Sequence, residues 1–259
     1  MKLNFIVSAT TDIGLTKSTN QDSLIVKAGR CQDKNVILAV LCDGMGGLQK
    51  GELASAITVD RFSKWLTERL PVMLKQQHIF ENVREEWDRL LNSLNNKFNE
   101  YGRANSVNIG TTVSGILIIE NQYLIVNVGD SRTYLLSENI TQITEDQSLV
   151  AQEIRQGRLT EEQAKNDPRR NVLFQCIGAT PSLEIEYYRG NVSGGMGFLL
   201  CSDGLRHMVS AEEIFNCLNP VFMSSEEIIK ERLDGLVGVN MERGETDNIT
   251  AAYIKVVQE

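Results

Sequence analysis

Six short runs rich in Val, Ile and Leu, each bounded by Gly, Asn or Asp, constrain this chain most: Asn35–Cys42, Thr111–Ile119, Tyr123–Val128, Thr133–Leu136, Gly197–Cys201 and Ile249–Val257. Apolar runs this short, punctuated by turn-forming residues, read as strands. Between the first and second, the period changes. Glu52–Leu70 and Ile79–Tyr101 carry Ile57, Phe62, Trp65, Leu66 and Trp87, Leu90, Leu91, Leu94, Phe98 at helical spacing, which predicts two long amphipathic helices. Aromatic and leucine stripes of that kind face a core, and no cofactor role is assigned to them. Ala211–Leu218 and Ser224–Leu236 predict further helices, the second opened by Ser224 or Ser225 with Glu227 nearby to assist the cap. Leu149–Ala164 is polar with scattered apolar residues and stops before Pro168, which predicts a small helical insertion over the sheet, a candidate flap.

Strand-like segments run from the first residues to the last, with no repeat, low-complexity tract or linker, so one domain is expected over residues 1–259. Helices grouped between runs of adjacent strands predict an α+β fold with segregated layers, in place of the strict alternation of a doubly wound parallel sheet. At 42% hydrophobic the chain has material for a sizeable core. No apolar run approaches the roughly 20 residues that span a bilayer. The stretch Met1–Thr10 lacks a basic region followed by an apolar segment and a cleavage site. The expectation is a cytoplasmic protein with no membrane partner.

A formal net charge of −8 argues against nucleic acid, whose binding rests on clustered Lys and Arg. It leaves room for a phosphorylated patch on a protein, and an acidic cluster holding divalent metal accounts for part of the imbalance. The five cysteines are an odd number with no close pairing, and most of them read as buried thiols. Cys201 and Arg206 stand one residue too close for the loop of a cysteine-dependent tyrosine phosphatase.

The chemistry lies in where aspartates fall relative to strands. Asp43 ends the run Val36–Cys42 and opens Asp43-Gly44-Met45-Gly46-Gly47; Asp203 ends Phe198–Ser202 and precedes Gly204. Asp130 ends Tyr123–Gly129, and Asp247 sits just before Ile249–Val257. Singly, each is ordinary turn chemistry, an Asp-Gly hairpin included. As a set they would repel strongly at one sheet edge unless a cation stood between them. Hard oxygen ligands select magnesium, manganese or calcium. Gly44, without a side chain, lets its carbonyl approach a metal closely, and Gly46 and Gly47 keep the loop compact.

The ordered motifs resemble the metal-dependent protein phosphatases of the type 2C, or PPM, family. Thr11-Asp12-Ile13-Gly14 with Lys17 and Asn20-Gln21-Asp22 resembles the family's opening motif. The Asp43 loop with Gly51-Glu52 and Ala54-Ser55 resembles its glycine-rich metal loop; Gly110-Thr111-Thr112, Gly129-Asp130-Ser131-Arg132, Ser202-Asp203-Gly204-Leu205 and Asp247-Asn248-Ile249-Thr250 follow in the family's order. The resemblance implies two packed antiparallel β-sheets flanked by helices, a four-layer sandwich with metals in a cleft at one end. It implies two core Mn2+ or Mg2+ ions held by Asp43, Asp203 and Asp247 and the carbonyl of Gly44. Asp22 then acts through metal-bound water, and Asp130 matches a position that helps hold a third, weaker ion in bacterial members. Residues 149–171 match the flap beside the cleft.

Four positions depart from the family pattern. Lys17 stands where arginine is usual, Gln147 and Asp167 where histidines are common, and Met45 where eukaryotic members often carry histidine, which marks the chain as bacterial in type. The two histidines, His78 and His207, are read as incidental. The implied activity is hydrolysis of phosphoserine and phosphothreonine in proteins by water whose pKa two neighbouring metals lower from about 15.7 toward 7. No cysteine or serine nucleophile is needed, and Lys17 is the best-placed cation for the phosphate. Phosphorylated proteins, a cognate Ser/Thr kinase system and a monomeric state are expected. A phosphatase-like binding module without turnover would have lost metal ligands first, and every core position here is filled. Small phosphoesters stay open as substrates, since the surrounding surface sets specificity.

Overall fold

In the strand β3 (Lys34–Asp43), Leu38, Val40 and Cys42 join one apolar cluster and Ile37, Ala39 and Leu41 another. A strand buried on both faces reads as a continuous apolar run, because successive side chains alternate between two cores. The computed structural model that shows this describes residues 3–45 and 50–258. Gly46 and Gly47 lie outside them.

Two antiparallel five-stranded sheets form the centre. One runs β2 (Asp22–Cys31), β3, β4 (Val113–Ile119), β5 (Gln122–Val128) and β8 (Glu186–Asn191); the other runs β1 (Leu3–Asp12), β10 (Ile249–Gln258), β9 (Gly197–Cys201), β6 (Arg132–Leu136) and β7 (Ile140–Gln142). Their facing surfaces pack Ile37, Leu41, Ile116, Phe198, Leu200 and Ile254 against one another. On the outer face of the first sheet lie α1 (Gly51–Glu68), α2 (Leu70–Met73) and α3 (Ile79–Asn105). Trp87 of α3 is fully buried there, edge-on to both Phe62 and Trp65 at 5.3 Å. The second sheet is covered by α6 (Ala211–Leu218) and α7 (Glu226–Glu242) through Ile214, Leu218, Ile229, Leu233 and Leu236. The α+β class expected from the order of elements, and the four-layer sandwich implied by the family resemblance, are therefore the observed fold.

The starts of α6 and α7 follow the capping rules. Ser225 caps α7 by accepting from the Ile228 N–H, and Ser210 closes a capping box with Glu213 on α6. The insertion expected over Leu149–Ala164 is two helices, α4 (Leu149–Arg155) and α5 (Glu161–Lys165), parted at Gly157, whose φ of +69° few other residues adopt. No helix among the described residues is long and apolar enough to cross a membrane.

The register fixes what happens at one end of the sandwich. Asp22 pairs with Asp43, Val113 with Val128, and Cys201 with both Ala251 and Arg132. The start of β2, the end of β3, the exit of β9, the entry of β10 and the β5–β6 connection through Asp130 thus all fall together.

Candidate metal centre

Backbone hydrogen bonds place each carboxylate. The Asp43 N–H donates to the Thr112 hydroxyl at 3.0 Å, its carbonyl accepts from the Thr112 N–H at 2.9 Å, and Thr112 in turn touches Ser131 at 2.8 Å across to the other sheet. Gly44 is wedged where a Cβ would lie 2.4 Å from the Gly51 carbonyl and 2.5 Å from that of Gln21. Ser202 and Thr250 exchange two bonds of 3.0 Å, which aligns Asp203 beside the entry of β10.

Asn248 ties the opening loop to this frame: its amide donates to the carbonyls of Ile13 and Thr19 and accepts from the Gln21 N–H at 2.9 Å. Gly14, at φ +75°, passes so close that a Cβ would meet the Asp247 carbonyl at 2.3 Å. Lys17 is carried on that loop, and its ammonium reaches Asp247 Oδ1 at 2.8 Å.

The carboxylates disturb one another. Burial, and then the fields of Asp203 and Asp247, push Asp22 up to about 7, while the hydroxyls of Thr250 and Ser202 act the other way. Both Asp22 oxygens are buried without a well-formed hydrogen bond, as is Asp203 Oδ1. Desolvation raises Asp43 well above the carboxylate range, and Asp22, Asp203, Asp130 and Asp247 all add to the rise. Asp130 is pushed to about 6 by burial and by Asp203, against the pull of Arg206. Such mutual repulsion among acids is what a cation would relieve.

Hard oxygen donors in this number fit a divalent metal, and the orphaned oxygens of Asp22 and Asp203 mark where charge is wanted. Among the described residues, however, no three acid, imidazole or thiol groups stand within coordinating distance together. Asp247 is drawn to Lys17, and Asp203 to His207. The fit rests on donor chemistry and orphaned atoms, with no coordination geometry implied.

Sequence reasoning missed three residues. His207 is not incidental: it stands between Asp203 and Glu245, four residues beyond the first. Glu245 is buried and accepts from the backbone of Asp247. Arg206, its side chain 13% exposed, donates to the Asp130 carbonyl at 3.0 Å and its Oδ2 at 3.1 Å. Of the departures noted above, Gln147 bridges the Gly129 N–H and the Glu184 carbonyl at 2.8 Å each, and Asp167 clasps Arg169 at the surface. Cys201 is fully buried in β9, and burial pushes its thiol up to about 12, so a thiolate nucleophile is absent there.

A two-sheet sandwich with aspartates converging at one end defines a class, and residues 16–237 match the model of the family described as Protein phosphatase 2C. The chain belongs to the protein phosphatase 2C family, whose members are metal-dependent. It is similar to Protein phosphatase PhpP of Streptococcus pneumoniae, with 30% identity over 98% of each chain. The serine/threonine phosphatase of S. agalactiae superposes with a TM-score of 0.84 at 30% identity, over 98% of this chain and 100% of that one. The catalytic domain of the serine threonine protein phosphatase PstP, in complex with 2 manganese ions, superposes at 0.78 with 27% identity, over 99% and 100%.

Proposed function

We propose that Asp43, Asp203 and Asp247, with the carbonyl of Gly44, hold two Mn2+ or Mg2+ ions in this chain, and that Asp22 acts on them through water. The chain itself is a phosphatase of protein serine and threonine residues, and its substrates are phosphoproteins. The observation that carries the proposal is the set of mutually repelling aspartates at one end of the sandwich, with Asp22 and Asp203 presenting buried oxygens that lack a well-formed hydrogen bond. When bound, the ions supply Lewis-acid charge and a water of lowered pKa.

The chain's own groups then bind and orient. Gly44, lacking a Cβ, keeps the loop tight against Gln21 and Gly51 and leaves its carbonyl free to point at an ion. Lys17, about one-third exposed, offers an ammonium at the rim for an equatorial phosphate oxygen. Asp130 serves a weaker additional ion, with Arg206 already neutralising part of its charge. The α4–α5 segment, within residues 149–171, forms a flap, tied at its base by the Leu149 N–H to the Val172 carbonyl at 2.8 Å. We further propose one domain over the whole chain, acting as a cytoplasmic monomer opposite a Ser/Thr kinase.

The test is phosphate release from a phosphothreonine and a phosphotyrosine peptide with manganese, with magnesium and with excess chelator. Turnover of the first peptide only, dependent on metal, is expected. Full turnover in chelator would end the reading.

A further inference from the structure

We infer that His207 and Glu245 act as a single unit that positions Asp203 and Asp247 relative to each other, an inference that rests on the metal reading of those two aspartates. Glu245 is only 3% exposed and divides its oxygens between two tasks. Its Oε1 accepts from the backbone N–H groups of Thr246 at 2.7 Å and Asp247 at 2.8 Å, while Oε2 stands 3.0 Å from Nδ1 of His207. The other ring nitrogen, Nε2, lies 3.3 Å from Asp203 Oδ2. One continuous path therefore runs from the Asp247 peptide through a carboxylate and an imidazole to the Asp203 side chain.

The frame around that path is rigid. The His207 N–H donates to the Asp203 carbonyl at 3.1 Å, which folds the ring back over the residue it holds. Asn240 of α7 donates to the Leu205 carbonyl at 2.9 Å and accepts from the Met208 N–H at 3.3 Å, so the turn carrying His207 is clamped on both sides. With Oδ2 facing the ring at 3.3 Å, Asp203 Oδ1 is left buried without a partner.

Two aspartates at the ends of separate strands need a common reference if both are to address one cluster of ions. Outer groups that orient ligands commonly change metal affinity by about 10–100-fold. Removing the ring frees the Asp203 carboxylate to rotate and strands one buried oxygen of Glu245. Removing Glu245 releases the ring and the peptide before Asp247 together. Either loss breaks the same path.

A purely structural pair would lower the melting temperature of the metal-free protein without touching metal affinity. The experiment is a calorimetric Mn2+ titration of the metal-free full chain, with its melting temperature, for wild type, His207→Ala, Glu245→Ala, the double variant and His207→Gln. Each alanine variant should weaken the tightest manganese binding by about 10-fold or more, the double variant should lose no more than the worse single one, and His207→Gln should recover part of the loss. The conservative variant carries the comparison should an alanine variant fail to fold. Unchanged manganese affinity in both single variants overturns the inference whatever happens to melting, and so do losses that multiply in the double variant. Wild-type protein that takes up no manganese overturns the metal reading itself, an outcome separate from unchanged affinity in the variants.

Discussion

Lys17 and Asp247 form an ion pair of 2.8 Å at the rim of the carboxylate cluster, each side chain about one-third exposed. Burial alone would lower the lysine, but the hydrogen bond to Asp247 and the fields of Asp247, Asp43 and Asp203 leave it raised, so it stays a cation. A pair this exposed contributes at most about 1 kcal/mol to folding. Its consequence is positional. If the ammonium also meets the phosphate, Lys17→Ala should raise the KM for a phosphothreonine peptide roughly tenfold, in line with about 1.5 kcal/mol for a charge-assisted hydrogen bond. Lys17→Arg should preserve or lower it. Steady-state kinetics decide, and an unchanged KM and kcat in Lys17→Ala would place Lys17 outside the site.

Asp203→Asn and Asp247→Asn should each abolish activity. Neither side chain packs in the apolar clusters, and each substitution removes one charge from a repelling set. The melting temperature of the metal-free protein should therefore hold steady or rise. Wild-type turnover in either purified variant would move the metal site elsewhere.

The raised aspartates make the metal-free protein sensitive to pH in an unusual direction. Asp22 sits near 7 and Asp130 near 6 in the folded chain, whereas an unfolded aspartate titrates near 3.9. Between about pH 4 and pH 7 the folded state thus holds protons that the unfolded state has lost, and stability falls as pH rises, by up to about 1.4 kcal/mol per unit for each such proton. Asp146, held down by Arg206 and Arg132 despite its burial, acts oppositely, but only below about pH 4. Thermal melts in chelator should drop from about pH 5 to about pH 7, manganese should flatten the profile, and Asp22→Asn should shrink it. A metal-free melting temperature that climbs over this window would contradict the described repulsion.

Gly14 tests how tightly the opening loop is seated. At φ +75° any side chain is strained, and a Cβ would strike the Asp247 carbonyl at 2.3 Å. Gly14→Ala should destabilise the protein by about 1–3 kcal/mol and weaken manganese binding with it, since the carbonyl that must yield belongs to Asp247. Thermal melts and calorimetry on the one variant report both effects, and retention of wild-type affinity would detach the loop from the site.

The six runs legible as strands are the six interior strands of the two sheets, and the strands whose bounds the sequence did not yield, β1, β2, β7 and β8, are the four edges. Interior strands are sheltered on both faces and both sides, so they are apolar almost without interruption. Edge strands are half solvated and mix in residues such as Asn4, Ser8, Lys27 and Arg189. The site divides in the same manner. Asp43, Asp130, Asp203 and Asp247 announce themselves by ending or preceding apolar runs. His207 and Glu245 meet across 38 positions, and Arg206 and Asp130 across 76, so nothing local marks either pair.

That last pair alters what a mutation at Asp130 means. Read from the sequence alone, Asp130→Ala should only slow turnover and spare the tightest metal sites. In the structure the Arg206 side chain, 13% exposed, donates to both the Asp130 carbonyl and Oδ2, with Asp146 3.6 Å away and itself gripped by Arg132 through two bonds of 2.7 Å. Removing one partner from a buried ion pair costs about 3–5 kcal/mol; here Asp146 still faces the guanidinium and softens the loss, yet Asp130→Ala should lower stability visibly and blur any kinetic effect. Asp130→Asn, which keeps an acceptor for the guanidinium while losing the charge, separates the two roles. It should fold with a modest drop in melting temperature, turn over several-fold more slowly and bind its tightest manganese ions as wild type does. Calorimetric loss of those tight sites in Asp130→Asn would make Asp130 a core ligand and end the division of labour between it and Asp43, Asp203 and Asp247.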